Sequence, residues 1–341
     1  MDDDVRFVAR HSIAANTQRT YKSAIKRYVE FCASHKLDPS ARALTAESFR
    51  AWVAQLAVEG SLAPSTLTTY VAGVRTWWST ESGLNGASPL CDPFCDRVVL
   101  GAIKLAKRAA SQRNDRRNAP SVLTGSMLLE MEPFFRSDAS PFSLMILAAA
   151  MLGVHAALRP SELMGSRQHP ERRLLASSIV FYAQRNSKAV VEPRTGYEDG
   201  VPDRFTVNLG ATKTDQEGLK APKPCAVPSA VRALWDWCKL RMRVGTTLPF
   251  LFVCDNEPLT LATLLSELER VHEQQGMGTI VLGGKSFRRG GTSGAAAAGI
   301  PTADLQAMGG WASAAMPSIY TTAEAAQERV FALGRLVPSR L

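Results

Sequence analysis

The sequence predicts a mostly α-helical protein with a small antiparallel sheet, an α+β arrangement in which a helical bundle precedes a larger mixed domain. Three observations predict it. The first hundred or so residues show helical spacing of apolar residues almost throughout. The stretch Ala109 to Pro120 is polar, basic and without periodic apolar residues, which is how a linker between domains reads. Short β-rich segments occur only after it, between helical stretches.

In the first part, Tyr21, Ile25, Tyr28 and Phe31-Cys32 share one face of a helix over Thr17 to Ser34, and Arg19, Lys22, Lys26 and Arg27 share the other. A second helix follows Thr45, with Phe49, Val53, Leu56 and Ala57 on one face. A third starts after Pro64-Ser65, with Ser65 expected as its N-cap, and carries Leu67, Tyr70-Val71, Val74 and Trp77-Trp78. A fourth runs from Pro93 to about Ala109. Helices of this size make a small bundle over residues 1–108. Residues 109–120 read as a linker, and 121–341 as the second domain.

The second domain opens with a helix at Leu123-Thr124. Ser140 to Leu158 is nearly all apolar and reads as a buried central helix. Strands are expected at Ser178–Tyr182, Phe205–Leu209 and Pro224–Val227. Helices are expected at Pro228–Val244, Leu261–Gln275, Lys285–Ala298 and Thr302–Met308.

A chain of 341 residues, 45% hydrophobic and 21% charged, has ample material for globular cores. No apolar run reaches the roughly 18 residues of a membrane span, and the acidic opening Met1-Asp2-Asp3-Asp4 is unlike a secretory signal. The net charge of +9 favours a polyanionic partner through counterion release from phosphates. With no strongly basic amphipathic helix bearing a Trp/Phe face, nucleic acid is the expected partner rather than a membrane. Basic residues from Arg97 through Lys104, Lys107, Arg108 and Arg113 to Arg116 and Arg117 are opposed by Asp115 alone, so much of the excess lies at the domain junction. Of the six cysteines only Cys91 and Cys95 lie close together, with no histidine near, which argues against zinc and for reduced thiols. With no GxxxxGK[ST] loop either, no metal or nucleotide cofactor is expected.

Five short islands carry residues suited to phosphate chemistry. Arg159 ends the apolar helix, and Glu162, three residues on, can reach back to fix its guanidinium. Lys213 lies in Thr212-Lys213-Thr214-Asp215 after a strand, with Lys220 as an alternative. Lys285 and Arg288 are spaced to share a helix face, and the small residues from Gly290 to Gly299 permit close packing. Trp311 follows Gly309-Gly310, and Tyr320 follows Ser318-Ile319 nine residues later. Each alone reads more simply as an ion pair, a solvated cation or a core aromatic. Together they hold what phosphodiester transfer needs. Arginine forks suit the non-bridging oxygens, lysine can protonate a leaving oxygen, and a phenol can form a phosphoester once cations ease its deprotonation.

This ordered set, Arg159-x-x-Glu162, Lys213, Lys285-x-x-Arg288, Trp311 and Tyr320, resembles the tyrosine recombinase (phage-integrase-like) family, and the resemblance covers essentially the whole chain. Asn16 to Tyr21 and Ala63 to Leu67 look like its core-binding domain. Thr212 to Asp215 and Ser286 to Gly291 look most like the Crypton and DIRS mobile-element recombinases. The resemblance implies a clamp on double-stranded DNA. Arg159, Arg288 and Trp311 would bind the scissile phosphate, Lys213 would protonate the leaving 5′-oxygen, Glu162 would orient the arginines, and Tyr320 would form a 3′-phosphotyrosine. It also implies a homotetramer on DNA, with the stretch from Ala323 exchanged between protomers. The expected location is nuclear in a eukaryotic host and cytoplasmic otherwise. One position departs from the pattern: Lys285 stands where recombinases commonly have histidine, as in some type IB topoisomerases. An ammonium is a poor general base near neutral pH. None of the five histidines obviously fills the gap, His155 included. The rival readings are therefore DNA relaxation of the topoisomerase kind and a catalytically silent DNA-binding protein derived from a recombinase.

Overall fold

The computed structural model describes residues 15–82, 90, 93–112, 120–165, 170–182, 190, 191, 193, 202–210, 222–311, 313 and 315–320; for residues 15, 16, 190, 191, 319 and 320 it describes the backbone alone. The chain divides into two compact units, Met1–Ala119 and Pro120–Leu341. No described helix is long and apolar enough to cross a membrane.

The first unit is helical among its described residues: α1 (Ala15–Ser34), α2 (Ala46–Glu59), α3 (Pro64–Glu81) and α4 (Pro93–Gln112). Helix α1 packs on α3, and α2 on α4. The predicted apolar faces meet in one core around Tyr28, Phe49, Trp52, Leu67 and Trp78. Thr45 caps α2 by accepting from the Ser48 N–H, as its sequence position suggests. Helix α3 begins two residues earlier than expected. Pro64 occupies its first turn and Ala63 is the N-cap, so Ser65 lies inside the helix. Proline suits that place because its missing N–H is an unpaired donor there anyway. Helix α4 runs to Gln112, so the first residues of the expected linker are helical; residues 113–119 lie outside the described residues.

The second unit is α+β. Helices α5 (Gly125–Asp138), α6 (Pro141–His155) and the one-turn α7 (Pro160–Leu163) precede β1 (Ile179–Tyr182), β2 (Val190–Val191), β3 (Arg204–Val207) and β4 (Lys223–Cys225). These strands pair antiparallel in the order β2-β1-β3-β4, with Phe181 opposite Phe205 and Phe205 opposite Cys225. Helix α8 (Pro228–Val244), the two-residue strands β5 (Val253–Cys254) and β6 (Glu257–Pro258), α9 (Leu261–Gln274), α10 (Ser286–Ala297), α11 (Thr302–Gly309) and α12 (Met316–Tyr320) follow.

Helix α6 is the centre of this unit. Every residue from Met145 to Val154 is buried, and α5, α8, α9 and α10 all pack on it. It ends at His155, three residues before the expected Leu158. Pro160 restricts the residue before it, and Arg159 is accordingly extended at ψ 148°. The chain reverses on the way at Ala157, whose φ is +48°.

The small residues of α10 let it approach two backbones. A Cβ at Gly290 would collide with the Leu123 carbonyl, and one at Gly291 with the Val154 carbonyl at the end of α6. Hydrogen bonds from Leu123 N–H to the Ser286 carbonyl (3.3 Å) and from Ser286 Oγ to the Ser121 carbonyl (2.6 Å) tie the start of the unit to the start of α10. Arg159, at the start of α7, and Arg288, on α10, are thereby held in one frame.

Candidate active site

Arg159 and Glu162 form the closed turn that their spacing suggests. With Pro160 opening α7, the Glu162 carboxylate accepts from the Arg159 backbone N–H at 2.8 Å and from its Nη1 at 2.6 Å. The same carboxylate faces Arg288 Nη1 at 3.8 Å. The Arg288 and Glu162 side chains are only 2% and 4% exposed, whereas that of Arg159 is 22% exposed. One buried carboxylate thus serves two guanidiniums. For Arg288 this rules out the simple alternative of a solvated basic helix face.

Trp311 closes the group on another side. The Arg288 Cζ lies 4.7 Å from the Trp311 ring centroid, a cation–π contact. The two glycines before the tryptophan explain its place. Gly310 ends α11 in the left-handed conformation at φ +61°, and a Cβ at Gly309 would run into the indole ring. Trp311 N–H donates to the Gln306 carbonyl, and Gln306 Nε2 donates to the Trp311 carbonyl, both at 3.0 Å.

Lys285 does not share a helix face with Arg288. It occupies the N-cap position of α10 and is exposed, while Arg288 points inward. Both nevertheless line the same cavity of about 990 Å³, together with Arg159 and Arg173, and no carboxylate is among its described lining residues. Lys213 and its alternative Lys220 lie outside the described residues. Tyr320 ends α12, which packs against α10 and α11, so its backbone belongs to the same cluster of helices; its side chain lies outside what is described. The structure therefore brings together Arg159, Glu162, Arg288, Trp311 and Lys285.

Sequence reasoning missed Lys223. This residue of β4 donates from Nζ to the carbonyl of Met308 at 2.8 Å and of Ala156 at 3.4 Å. Those carbonyls end α11 and α6, where the helix dipole favours a cation. The segments that leave these ends carry Trp311 and Arg159. A lone lysine between two prolines gives no periodic signal for such a role. His155 is half-buried, and burial lowers its pKa. It lines a separate cavity of about 880 Å³ with Gly125, Gly290 and Gly294, not the one that holds the arginines.

Residues 2–80 match the family described as phage integrase, N-terminal SAM-like domain. The fold is similar to that of solved DNA recombinases. The Tn1549 transposon integrase (residues 82–397, Y379F), solved in complex with transposon right end DNA, aligns over 95% of this chain and 96% of its own at 14% identity, with a TM-score of 0.53. The XerH site-specific recombinase, bound to its palindromic difH substrate in a post-cleavage complex, aligns over 89% of this chain and 75% of its own at 14% identity, with a TM-score of 0.54. No curated protein matches the sequence.

Proposed function

We propose that this protein is a DNA strand transferase of the tyrosine recombinase type, which cuts and rejoins double-stranded DNA through a 3′-phosphotyrosine on Tyr320. The observation that carries the reading is the pair of guanidiniums, Arg159 and Arg288, sharing the buried carboxylate of Glu162 beside a cavity whose charged lining residues, among those described, are all cations. A phosphodiester is the anion such a site suits: two planar forks meet its two non-bridging oxygens. Glu162 holds the forks in place before the substrate arrives, which avoids reorganisation during the reaction. Trp311 packs on Arg288 and fixes its plane. Lys213 is assigned as the proton donor to the leaving 5′-oxygen and Tyr320 as the nucleophile. The exposed basic residues of α1, Arg19, Lys22 and Lys26, suit phosphate contacts by the first unit.

The Tn1549 integrase was solved in complex with transposon right end DNA. That likeness and the sequence resemblance to Crypton and DIRS elements together suggest a mobile-element recombinase. In a eukaryotic host it would act in the nucleus. The stretch from Ala323, with Ala326, Val330, Leu333 and Leu336 at helical spacing, lies outside the described residues. We assign it to exchange between protomers of a tetramer.

The test is covalent trapping. The protein is incubated with a pool of nicked suicide duplexes of random sequence, and adducts are resolved on a denaturing gel and sequenced. An adduct is expected from the native protein and none from Tyr320→Phe. An adduct that survives this change would assign the nucleophile elsewhere. Lys285 at the edge of the cavity favours one second reading, relaxation without a partner site. Efficient relaxation of supercoiled plasmids of unrelated sequence would support that reading.

A further inference from the structure

The cavity beside Arg159 and Arg288 holds more positive charge than one phosphodiester neutralises. A scissile phosphate carries a single negative charge. Arg159 and Arg288 already share Glu162, and Lys285 and Arg173 add two further cations with no lining carboxylate to oppose them.

Arg173 is held as a binding group rather than as a solvated one. Its backbone bridges Met164, the residue that ends α7, so its place is set by the same turn that carries Glu162. Leu174, the next residue, donates to the Leu163 carbonyl at 3.1 Å. The Arg173 Nε donates to the Met164 carbonyl at 3.1 Å, and its Cζ stands 5.5 Å from the Phe250 ring centroid. These contacts fix the plane of the guanidinium and use one N–H of five. No carboxylate among the described residues pairs with it. By contrast, Arg136 is bound to Glu132 and Asp236, and Arg270 to Glu267. A half-buried, oriented guanidinium without a counter-ion among the described residues, on the wall of a phosphate site, is set for a second anion. On a DNA strand the next anion is the neighbouring phosphate.

We propose that Arg173 is a second phosphate-binding residue, which takes a backbone phosphate of the cleaved strand next to the one held by Arg159 and Arg288. This rests on the strand-transfer reading only in that the ligand is DNA. Arg173 is a positioning residue: it sets the register of the strand so that the scissile phosphate lies over the two arginines.

The experiment is the salt dependence of binding of the full chain to a 30-base-pair duplex, for the native protein, Arg173→Met and Arg173→Lys. Each phosphate neutralised contributes about 0.9 to the slope of log K against log salt. Arg173→Met should lower the slope by about 0.9, and so weaken binding by about eight-fold at 0.1 M salt if the lines meet at 1 M. Arg173→Lys keeps the charge and loses the Nε bond to Met164, so it should keep the slope while sharing any loss of thermal stability. An unchanged slope in Arg173→Met overturns the proposal. An equal fall of slope in both variants also overturns it, because lost packing would then be the cause. A slope that falls in Arg173→Met alone, together with no covalent adduct from the native protein, overturns strand transfer and leaves the subsite standing. A native protein that binds no duplex overturns both.

Discussion

Replacing Glu162 by glutamine keeps the shape of the cluster and removes the negative charge that both arginines face. In the native structure the carboxylate accepts two bonds from Arg159, at 2.6 and 2.8 Å, and stands 3.8 Å from Arg288 Nη1. At an effective dielectric of about 20, a charge pair at that last distance is worth roughly 4 kcal/mol. Glutamine avoids the desolvation of a carboxylate, which offsets part of the loss, but it leaves two guanidiniums facing a neutral amide. Removing one partner of a buried pair typically costs about 3–5 kcal/mol. Because the Arg159 side chain is 22% exposed, the lower end applies, about 3 kcal/mol. For a unit of this size that lowers the unfolding temperature by about 6–12 °C. Calorimetry should show the loss in the transition of the second unit. The variant also has a distinctive response to anions. In the native protein Glu162 occupies part of the arginine forks, whereas in the variant an added anion takes over its task. Sulfate should therefore raise the variant's melting temperature more than the native protein's, against chloride at equal ionic strength. A loss below about 1 kcal/mol, or equal sulfate responses, would refute the view that one buried carboxylate holds both arginines.

Three further outcomes are expected. Lys223→Met should slow covalent adduct formation at least ten-fold with duplex affinity little changed, and Lys223→Arg should restore most of the rate; if both variants react at the native rate, the lysine does not aim Arg159 and Trp311. His155 has a lowered pKa in the folded protein because burial disfavours its charged form, so its stabilising contribution is complete above its unfolded pKa of about 6.5 and is lost as pH falls below it. Denaturant titrations from pH 7.5 to 5 should show that decline and its reduction in His155→Gln, and identical profiles would count against it. Removal of residues 323–341 should abolish recombination while sparing duplex binding by monomers, measured by gel shift and plasmid recombination; unchanged recombination would sink the exchange of this segment.

The elements that the sequence made legible are those whose physics is local. Ten consecutive buried positions of α6, from Met145 to Val154, had no polar side chain to satisfy beyond their own backbone, so a central helix was the one arrangement open to them. Thr45 and Thr124 announced their helices because a side-chain oxygen next to an apolar periodic run caps it. Ser65 misled for the same reason: a hydroxyl next to a proline looked like a cap, but Pro64 already satisfied the first turn. The β5–β6 hairpin went unread although Asp255 and Asn256 adopt the positive φ values its turn requires, at +53° and +59°. Its two-residue strands are too short for any alternation to show. What stayed hidden is long-range. Nothing local in Pro222-Lys223-Pro224 says that the ammonium reaches carbonyls 67 and 85 positions away.

The site itself was legible as a set of residue types and not as an arrangement, and the difference lies in burial. A sequence shows Arg288 as one of several cations after Lys285; it does not show that Arg288 is 2% exposed while Lys285 is at the surface. Burying a guanidinium costs several kcal/mol unless a partner compensates it. Here Glu162 supplies compensation that is shared with a second arginine. A core built for stability alone would do as well with apolar side chains in this place. A site for a phosphodiester needs the opposite: guanidiniums fixed in advance and deliberately short of negative charge, so that the substrate completes the balance. That shortfall makes a Glu162 variant less stable and more responsive to sulfate. It also gives Arg173, which no described carboxylate pairs with on the same wall, a phosphate to bind.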